Sequence, residues 1–208
     1  MSAALVVLAK APRPGRAKTR LCPPCTPVQA AELARAALAD TLHTVIATPA
    51  ARHVLVLDGE PGPWLPAGFE LVSQRGAGLA ERLGNAFADV GGAALLVGMD
   101  TPQLTSDHLR EGVRRLLGAD TDAVLGPAPD GGYWAVGLRR PEPGAFAGVP
   151  MSTADTFRRQ RERLTAHGLR VALLPTLRDV DELADARVVA ALAPGGRFAR
   201  ALVLAGLA

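Results

Sequence analysis

Leu5-Val6-Val7-Leu8-Ala9 is a continuous apolar run near the start of the chain, and Lys10 follows it directly. A short apolar run without polar alternation is typical of a central parallel strand that is buried on both faces. A loop rich in proline, glycine and basic residues extends to about Pro24. Thr26-Pro27-Val28-Gln29 then predicts a helix start, because a Thr cap, a Pro in the first turn and a Gln three residues after the cap occur together.

Strand and helix patterns continue to alternate along the chain. After the helix from Thr26 to about Ile46, we predict helices at Leu79–Val90, after a cap at Thr105 or Ser106, at Ser152–Thr165 and at Glu182–Leu192. The other strands are predicted at His53–Leu57, Phe69–Ser73, Ala93–Val97, Ala123–Leu125, Tyr133–Leu138 and Arg170–Leu174. This alternation indicates an α/β fold of three layers, in which helices cover both faces of a mainly parallel sheet. No linker or repeat interrupts it, so residues 1–208 are expected to form a single domain.

Composition and charge exclude several classes of protein. The 208 residues carry 23 Lys and Arg against 20 Asp and Glu, a surplus too small to indicate nucleic-acid binding. No apolar run approaches the roughly 18 residues of a membrane span. Met1 to Leu8 lacks the basic region and cleavage site of a signal peptide, so we expect a cytoplasmic protein. The oligomeric state is left open.

The loop after the first strand is the first candidate site, because ligands of such sheets bind at the carboxyl ends of the strands. Lys10, Arg13, Arg16, Lys18 and Arg20 place five cations there with no acidic residue between them. Positive charge, free backbone N–H groups and a glycine at position 15 suit a phosphate. The loop is not a Walker A motif, which needs glycine where positions 12 and 17 hold proline and alanine.

Carboxylates follow other predicted strands at the same edge. Asp100 comes directly after an apolar strand and can bind Mg²⁺ together with substrate phosphate oxygens. Asp130-Gly131-Gly132 can turn tightly and approach a ligand. In Asp179-Val180-Asp181 the alternating carboxylates should point to opposite sides, so that one faces a metal while the other holds the loop or caps the next helix. Asp100 and one carboxylate of this segment are the expected metal pair.

Two further segments have open interpretations. Gln74 and Arg82 flank a glycine-containing loop after a strand, which can contact a base or ribose or can be a plain surface loop. Cys22-Pro23-Pro24-Cys25 has thiol-redox spacing before a helix. No thioredoxin-like pattern surrounds it, and the chain offers no second pair of zinc ligands at suitable spacing, so neither a redox nor a metal role is favoured.

Four motifs in order resemble the DUF2064 family, over about Leu5 to Asp185. They are Lys10-x-Pro12-x-x-Gly15-x-x-Lys18-Thr19-Arg20-Leu21, Gly98-x-Asp100-x-Pro102-x-Leu104, Gly126-Pro127-x-x-Asp130-Gly131-Gly132-Tyr133 and Asp179-Val180-Asp181. That family is often labelled glycosyltransferase; it has the glycosyltransferase-A fold and is related to molybdenum-cofactor and 2-phospholactate guanylyltransferases. The resemblance implies that Gly15, Lys18 and Arg20 meet nucleotide phosphates, that Asp100 ligates Mg²⁺ and that Asp181 is the second metal carboxylate.

Together these observations give a candidate site. Its catalytic residues are Lys18, Arg20 and Asp100, and its metal ligands, for Mg²⁺ or Mn²⁺, are Asp100 and Asp181. The nucleotide-binding residues are expected to be Ala9, Lys10, Gly15, Arg16, Lys18, Arg20, Gln74, Arg82, Asp130, Gly131 and Gly132.

Two reactions fit such a site. In nucleotidyl transfer, a substrate phosphate attacks the α-phosphorus of a nucleoside triphosphate, and cations neutralise the pyrophosphate that leaves. In glycosyl transfer, a hydroxyl attacks the sugar carbon of a nucleotide sugar. Metal-dependent glycosyltransferases usually carry Asp-x-Asp, whereas Asp100 is followed by Thr101 and Pro102, and a cation-rich loop suits a triphosphate. The sequence therefore favours nucleotidyl transfer to a small phosphorylated acceptor, with glycosyl transfer, a nucleotide sensor without turnover and a dithiol protein as alternatives.

Overall fold

A computed structural model describes residues 2–208. Met1, the first residue of the segment Met1 to Leu8 discussed above, lies outside the described residues. The strands are β1 (Ala4–Lys10), β2 (His53–Asp58), β3 (Glu70–Ser73), β4 (Ala94–Gly98), β5 (Ala123–Pro127), β6 (Tyr133–Leu138) and β7 (Val171–Leu173). The helices are α1 (Pro27–Ala47), α2 (Leu79–Val90), α3 (Ser106–Leu116), α4 (Thr156–Ala166), α5 (Leu183–Leu192) and α6 (Arg197–Leu204), with a 3₁₀ turn at Thr19–Leu21. None of the helices in residues 2–208 combines the length and the apolar composition that a membrane crossing needs.

The seven strands form one sheet in the order β3-β2-β1-β4-β6-β5-β7. All neighbours are parallel except β6, which runs antiparallel to both β4 and β5. The reversal follows from the tight turn at Asp130-Gly131-Gly132, which returns the chain beside β5 without a crossover helix. The predicted mainly parallel α/β sheet is confirmed, and β1 lies in its interior, between β2 and β4.

The two faces of β1 contribute to separate hydrophobic cores, as expected for a strand buried on both sides. Leu5 and Val7 pack on the face covered by α1 and α3, whereas Ala4 and Val6 pack on the face covered by α2 and α4. Every one of these four side chains is buried. The continuous apolar run is therefore explained by burial on both faces, and the three-layer architecture is confirmed.

Helix α6 was not predicted, because its apolar residues follow a short Pro-Gly-Gly segment without a side-chain cap of their own. Its cap comes from Asp40 in α1, whose carboxylate accepts hydrogen bonds from the backbone N–H groups of Arg197 at 3.1 Å and Phe198 at 2.9 Å. Helices α5 and α6 thus form an additional layer on the outer side of α1.

Helix α4 begins at Thr156, four residues later than predicted. Ser152 has a φ of 59°, which is left-handed and incompatible with a helix. The Thr156 hydroxyl accepts a hydrogen bond from the Thr153 backbone N–H at 3.0 Å and donates one to the Pro150 carbonyl at 2.8 Å. These bonds hold residues 150–155 as an ordered loop in front of the helix.

The two cysteines lie in the core between α1 and α6 rather than in an exposed reactive position. Cys25 is 4% exposed and Cys22 is half-buried, and both are free thiols. Burial, with a contribution from the neighbouring Cys22, raises the pKa of the Cys25 thiol, which lowers its thiolate fraction at neutral pH.

We therefore expect Cys25→Ser to lower the free energy of unfolding by about 1–3 kcal/mol, because it buries a hydroxyl in an apolar cluster. Cys22→Ser, at the half-buried position, should cost less. Urea denaturation measures both, and turnover below the unfolding transition should match the wild type. Loss of turnover by a fully folded Cys22→Ser variant would instead support a dithiol activity.

Candidate functional site

A cavity of about 840 Å³ lies at the carboxyl ends of β1, β4 and the neighbouring strands. Most residues predicted for the site line it: Ala9, Lys10, Arg16, Lys18, Arg20, Gln74, Arg82, Asp100, Asp130, Gly132 and Asp181. Gly15 and Gly131 are not among its lining residues. The loops after β1, β4 and β5, predicted as the site from their position in the sheet, therefore meet at one cavity.

The side chain of Lys18 is buried against acidic groups, whereas the sequence predicts a loop cation that meets nucleotide phosphates. Its side chain is 8% exposed, and its Nζ lies 2.8 Å from Asp100 Oδ1 and 3.9 Å from Asp181 Oδ1. The same ammonium donates a hydrogen bond to the Val180 carbonyl. Lys18 stands at the start of the 3₁₀ turn and has a left-handed backbone, with a φ of 52°. Lys18 thus bridges the two carboxylates that were expected to share a metal.

The other basic residues of the loop face outward. Arg20 is 63% exposed and pairs with Asp181 at 2.8 Å. Lys10 and Arg16 are exposed and line the cavity, and within residues 2–208 no acidic side chain pairs with either of them. These two cations are free to contact an anionic ligand.

Three carboxylates converge opposite the basic loop. Asp130, Asp179 and Asp181 each offer an oxygen, and these oxygens all lie within 4.8 Å of one another. The pKa of Asp179 is raised to about 6, first by burial and next by the negative charge of Asp130. Asp179 and Asp181 therefore point into one group, and the prediction that they face opposite sides was wrong. Helix α5 is capped instead by Glu182 and Asp185.

Asp100 is joined to the same segment without belonging to the group of three. Its backbone carbonyl accepts a hydrogen bond from the Val180 N–H at 2.9 Å, which fixes the loop after β4 to residues 179–181. Its carboxylate is paired with Lys18 at 2.8 Å and is not one of the three whose oxygens lie within 4.8 Å of one another. The structure thus brings Asp100 and Asp181 to one ammonium, and the convergent group contains Asp181 but not Asp100.

Gly131 shapes the turn that presents Asp130. Its φ is 89°, and a Cβ at this position would lie 2.0 Å from the Ala154 carbonyl oxygen. The Gly131 carbonyl accepts a hydrogen bond from the Phe157 N–H at 2.7 Å, and the Gly132 N–H donates to Asp130 Oδ1 at 2.8 Å. The glycine is needed because the turn packs directly on the loop before α4.

Gln74 and Arg82 support the cavity wall through bonds within the protein. Gln74 Nε2 donates to the Ala9 carbonyl at 2.7 Å and to the Val56 carbonyl at 3.1 Å, which connects three strand ends. Arg82 pairs with Asp58 at 2.8 Å. Both side chains line the cavity, so contact with a nucleotide stays a prediction for each.

Several lining residues carry no clear signal in the sequence, among them Asp185 and the loop Met151–Ala154. Asp185 lies inside a predicted helix, and Ser152 was predicted as a helix start. Asp185 could have been found from its nearness to the motif at 179–181, whereas residues 151–154 follow no predicted strand.

Fold and cavity define a class: an α/β protein with a seven-stranded, mainly parallel sheet and with basic and acidic groups in a cavity at the carboxyl ends of its strands. The chain belongs to the DUF2064 family, whose model, described as an uncharacterized protein conserved in bacteria, matches residues 32–153. A comparison with curated proteins finds no match.

Solved structures support the same class. A crystal structure from Desulfovibrio desulfuricans G20, described provisionally as a nucleotide-diphospho-sugar transferase, is 28% identical with a TM-score of 0.80, covering 91% of this chain and 87% of that one. CMP:2-keto-3-deoxy-manno-octonic acid synthetase complexed with CTP is 13% identical with a TM-score of 0.61, covering 94% and 99%. Rv0371c of Mycobacterium tuberculosis H37Rv, in complex with manganese, is 20% identical with a TM-score of 0.53, covering 91% and 97%. The last two are similar in fold alone.

Proposed function

We propose that this chain is a metal-dependent transferase that binds the phosphates of a nucleotide donor on its basic loop and transfers a group to an acceptor. The observation that carries the proposal is the arrangement of one cavity, lined both by Lys10 and Arg16, which pair with no acidic side chain of residues 2–208, and by the convergent Asp130, Asp179 and Asp181. A triphosphate carries more charge than a diphosphate, so the cation-rich loop favours nucleotidyl transfer as the reaction.

The convergent carboxylates fit a hard divalent cation. Mg²⁺ and Mn²⁺ prefer oxygen ligands and usually retain water and substrate phosphate oxygens as further ligands. Three carboxylates within 4.8 Å repel one another unless a cation lies among them, and the pKa of Asp179 is raised first by burial and next by the charge of Asp130. We propose Asp130, Asp179 and Asp181 as the metal ligands, so the expected role of Asp100 becomes that of partner to Lys18. A bound Mg²⁺ or Mn²⁺ would supply positive charge to the phosphates during transfer.

The protein's own cations would do the remaining electrostatic work. Lys10 and Arg16 can hold the outer phosphates because neither has an acidic partner among residues 2–208. Arg20 is exposed enough to contact a phosphate while it keeps Asp181 in place. These fixed charges would stabilise the leaving phosphate group without reorganisation at the moment of transfer.

Two solved structures of similar fold support the nucleotide and the metal of the proposal. A structure with a TM-score of 0.61 holds CTP, and another with a TM-score of 0.53 holds manganese. Because both are under 25% identical to this chain, they support the fold's capacity for such ligands and do not assign a substrate.

Glycosyl transfer is the second candidate, and one comparison favours it. The structure from Desulfovibrio desulfuricans G20 is 28% identical over 91% of this chain and is described provisionally as a nucleotide-diphospho-sugar transferase. The same cavity would then hold the diphosphate of a nucleotide sugar. The two reactions release different products, pyrophosphate in the first and a nucleoside diphosphate in the second.

A thermal-shift series with the four nucleoside triphosphates and common nucleotide sugars tests the proposal. At about a hundred times its dissociation constant, a true ligand should add about 2.7 kcal/mol of stability, but only with Mg²⁺ or Mn²⁺ present. For a chain of this size that free energy raises the Tm by about 5–10 °C. Product analysis of the stabilising nucleotide then separates the two reactions. Equal Tm values with and without metal, for every nucleotide, would contradict the proposal.

A further inference from the structure

The charges that line the cavity are segregated by position in the chain. From positions 8–98 the lining contains five basic side chains and no acidic one, and the basic residues are Lys10, Arg16, Lys18, Arg20 and Arg82. From positions 100–185 it contains six acidic side chains and no basic one, and the acidic residues are Asp100, Asp130, Asp179, Asp181, Glu182 and Asp185. We call these two sets of lining residues the basic wall and the acidic wall; they meet at the ion pairs of Lys18 and Arg20. The basic wall supplies charge that attracts phosphates, and the acidic wall supplies charge that repels them.

Ion pairing does not cancel this asymmetry. Lys18 and Arg20 neutralise Asp100 and Asp181 at the boundary between the walls, and Arg178, which is outside the lining, pairs with Asp185 at 2.7 Å. Within residues 2–208, the remaining acids of the wall have no basic partner: Asp130, Asp179 and Glu182. The two positive charges of a divalent cation would offset the charges of Asp130 and Asp179, and the negative charge of Glu182 would remain.

The loop that continues the acidic wall offers hydroxyl and apolar groups only. Met151, Ser152, Thr153 and Ala154 all line the cavity. The Thr156 hydroxyl bonds described above and the packing of Ala154 on Gly131 fix the shape of this loop. Ser152 is exposed, and its hydroxyl makes no hydrogen bond within residues 2–208. These groups match a ligand with hydroxyls and a small apolar surface.

We propose that the acceptor is an uncharged hydroxyl compound, such as a polyol or sugar, that binds at the acidic wall against Met151–Ala154. The proposal rests on the transferase function proposed above, and it differs from the phosphorylated acceptor that the sequence favours. In the transfer step the acceptor oxygen bonds to the transferred phosphorus or sugar carbon, and the bond to the leaving phosphate oxygen breaks with its electron pair on that oxygen. The hydroxyl proton passes to a carboxylate of the acidic wall.

Methionine methyl groups offer separate reporters for the two walls. The chain has three methionines, of which Met99 and Met151 line the cavity. Met99 Sδ accepts a hydrogen bond from the Lys10 backbone N–H at 3.3 Å, beside the basic wall. Met151 lies at the acceptor loop, where Tyr133 Oη contacts its sulfur at 3.8 Å. In protein labelled with ¹³C-methyl methionine, NMR can therefore follow donor and acceptor binding independently.

The experiment titrates the full chain with each Mg²⁺-nucleotide and then with matched pairs: glycerol and glycerol 3-phosphate, glucose and glucose 6-phosphate, inositol and inositol phosphate. We expect the nucleotide to shift mainly the Met99 signal. We expect at least one uncharged compound to shift the Met151 signal, with its phosphate ester binding about tenfold more weakly or worse because of charge repulsion. The inference is overturned if no uncharged compound shifts Met151 or if a phosphate ester binds more tightly than its partner. A Met99 signal that no nucleotide moves refutes the transferase function instead, and the Met151 comparison still decides the acceptor class.

Ser152→Lys places a cation on the acceptor loop, and Ser152→Gln is the matched uncharged control. The lysine variant should improve the affinity for phosphate esters by about tenfold, the effect of one charge-assisted hydrogen bond, whereas the glutamine variant should not. Equal affinities of both variants and the wild type for phosphate esters would show that charge does not select the acceptor and would overturn the proposal.

Discussion

Asp179→Asn and Asp181→Asn are each expected to lower metal-dependent turnover by about a hundredfold or more. Each change keeps the shape of the side chain and removes one negative charge from the group in which three carboxylates lie within 4.8 Å. The apparent metal concentration needed for half-maximal turnover should rise at the same time, because an amide oxygen binds Mg²⁺ more weakly than a carboxylate. Nucleotide affinity without metal should stay the same or increase, since repulsion of the phosphates decreases.

Asp185→Asn is the matched control for these variants. Asp185 lines the same cavity, but its carboxylate pairs with Arg178 and lies outside the convergent group. Its metal requirement should therefore match the wild type. Asp100→Asn should change turnover through Lys18, with a smaller change in metal requirement. If Asp100→Asn raised the metal requirement and Asp179→Asn left it unchanged, the metal would belong to Asp100 and Asp181, as the sequence predicts.

Lys18→Met is expected to have the second large effect. It should change the protein's affinities for nucleotide and for Mg²⁺ in opposite directions. The methionine retains the aliphatic stem and removes an ammonium that lies 2.8 Å from Asp100 and 3.9 Å from Asp181. Nucleotide affinity should fall by about tenfold, whereas Mg²⁺ affinity of the nucleotide-free protein should rise several-fold because a competing cation is removed. Calorimetric titration with each ligand measures both changes.

Stability should also respond to Lys18→Met, because the lysine side chain is 8% exposed and its ammonium donates to the Val180 carbonyl. We expect a loss of about 1–3 kcal/mol in the free energy of unfolding. The double variant Lys18→Met with Asp100→Asn should recover part of that loss, since the carboxylate left without a partner is then neutral. If the losses of unfolding free energy in the two single variants simply add in the double variant, and if Lys18→Met leaves the Mg²⁺ affinity unchanged, then Lys18 is not coupled to the acidic group.

The architecture was predictable because its signals are local and strong. The apolar run at positions 5–9 requires burial on both faces, and the capping box of Thr26 and Gln29 is present as predicted. The antiparallel β6 and the helix α6 were harder to predict. Strand direction is not encoded in an apolar run, and the cap of α6 is Asp40, which is more than 150 positions away in the chain.

The candidate site was predictable in its location more than in its pairings. The cavity lies where the predicted strands end, so its location follows from the order of the elements. Which carboxylates converge depends on the conformation of the turns between them, which the positions of the strands do not determine. The left-handed Lys18 turns its ammonium inward to the Val180 carbonyl, more than 150 positions away in the chain. Asp179 and Asp181 lie on the same side because residues two apart in an extended segment share a face, so the prediction of opposite sides misapplied that period.

Isothermal titration of the wild-type chain with its best nucleotide, in Mg²⁺ and in chelator, shows whether the three carboxylates hold a metal that binds the nucleotide. We expect binding that is about tenfold or more tighter with Mg²⁺, and a difference that disappears in the double variant Asp179→Asn, Asp181→Asn while the affinity measured in chelator persists. Nucleotide binding of equal strength with and without Mg²⁺, or a metal effect that survives both substitutions, would contradict it.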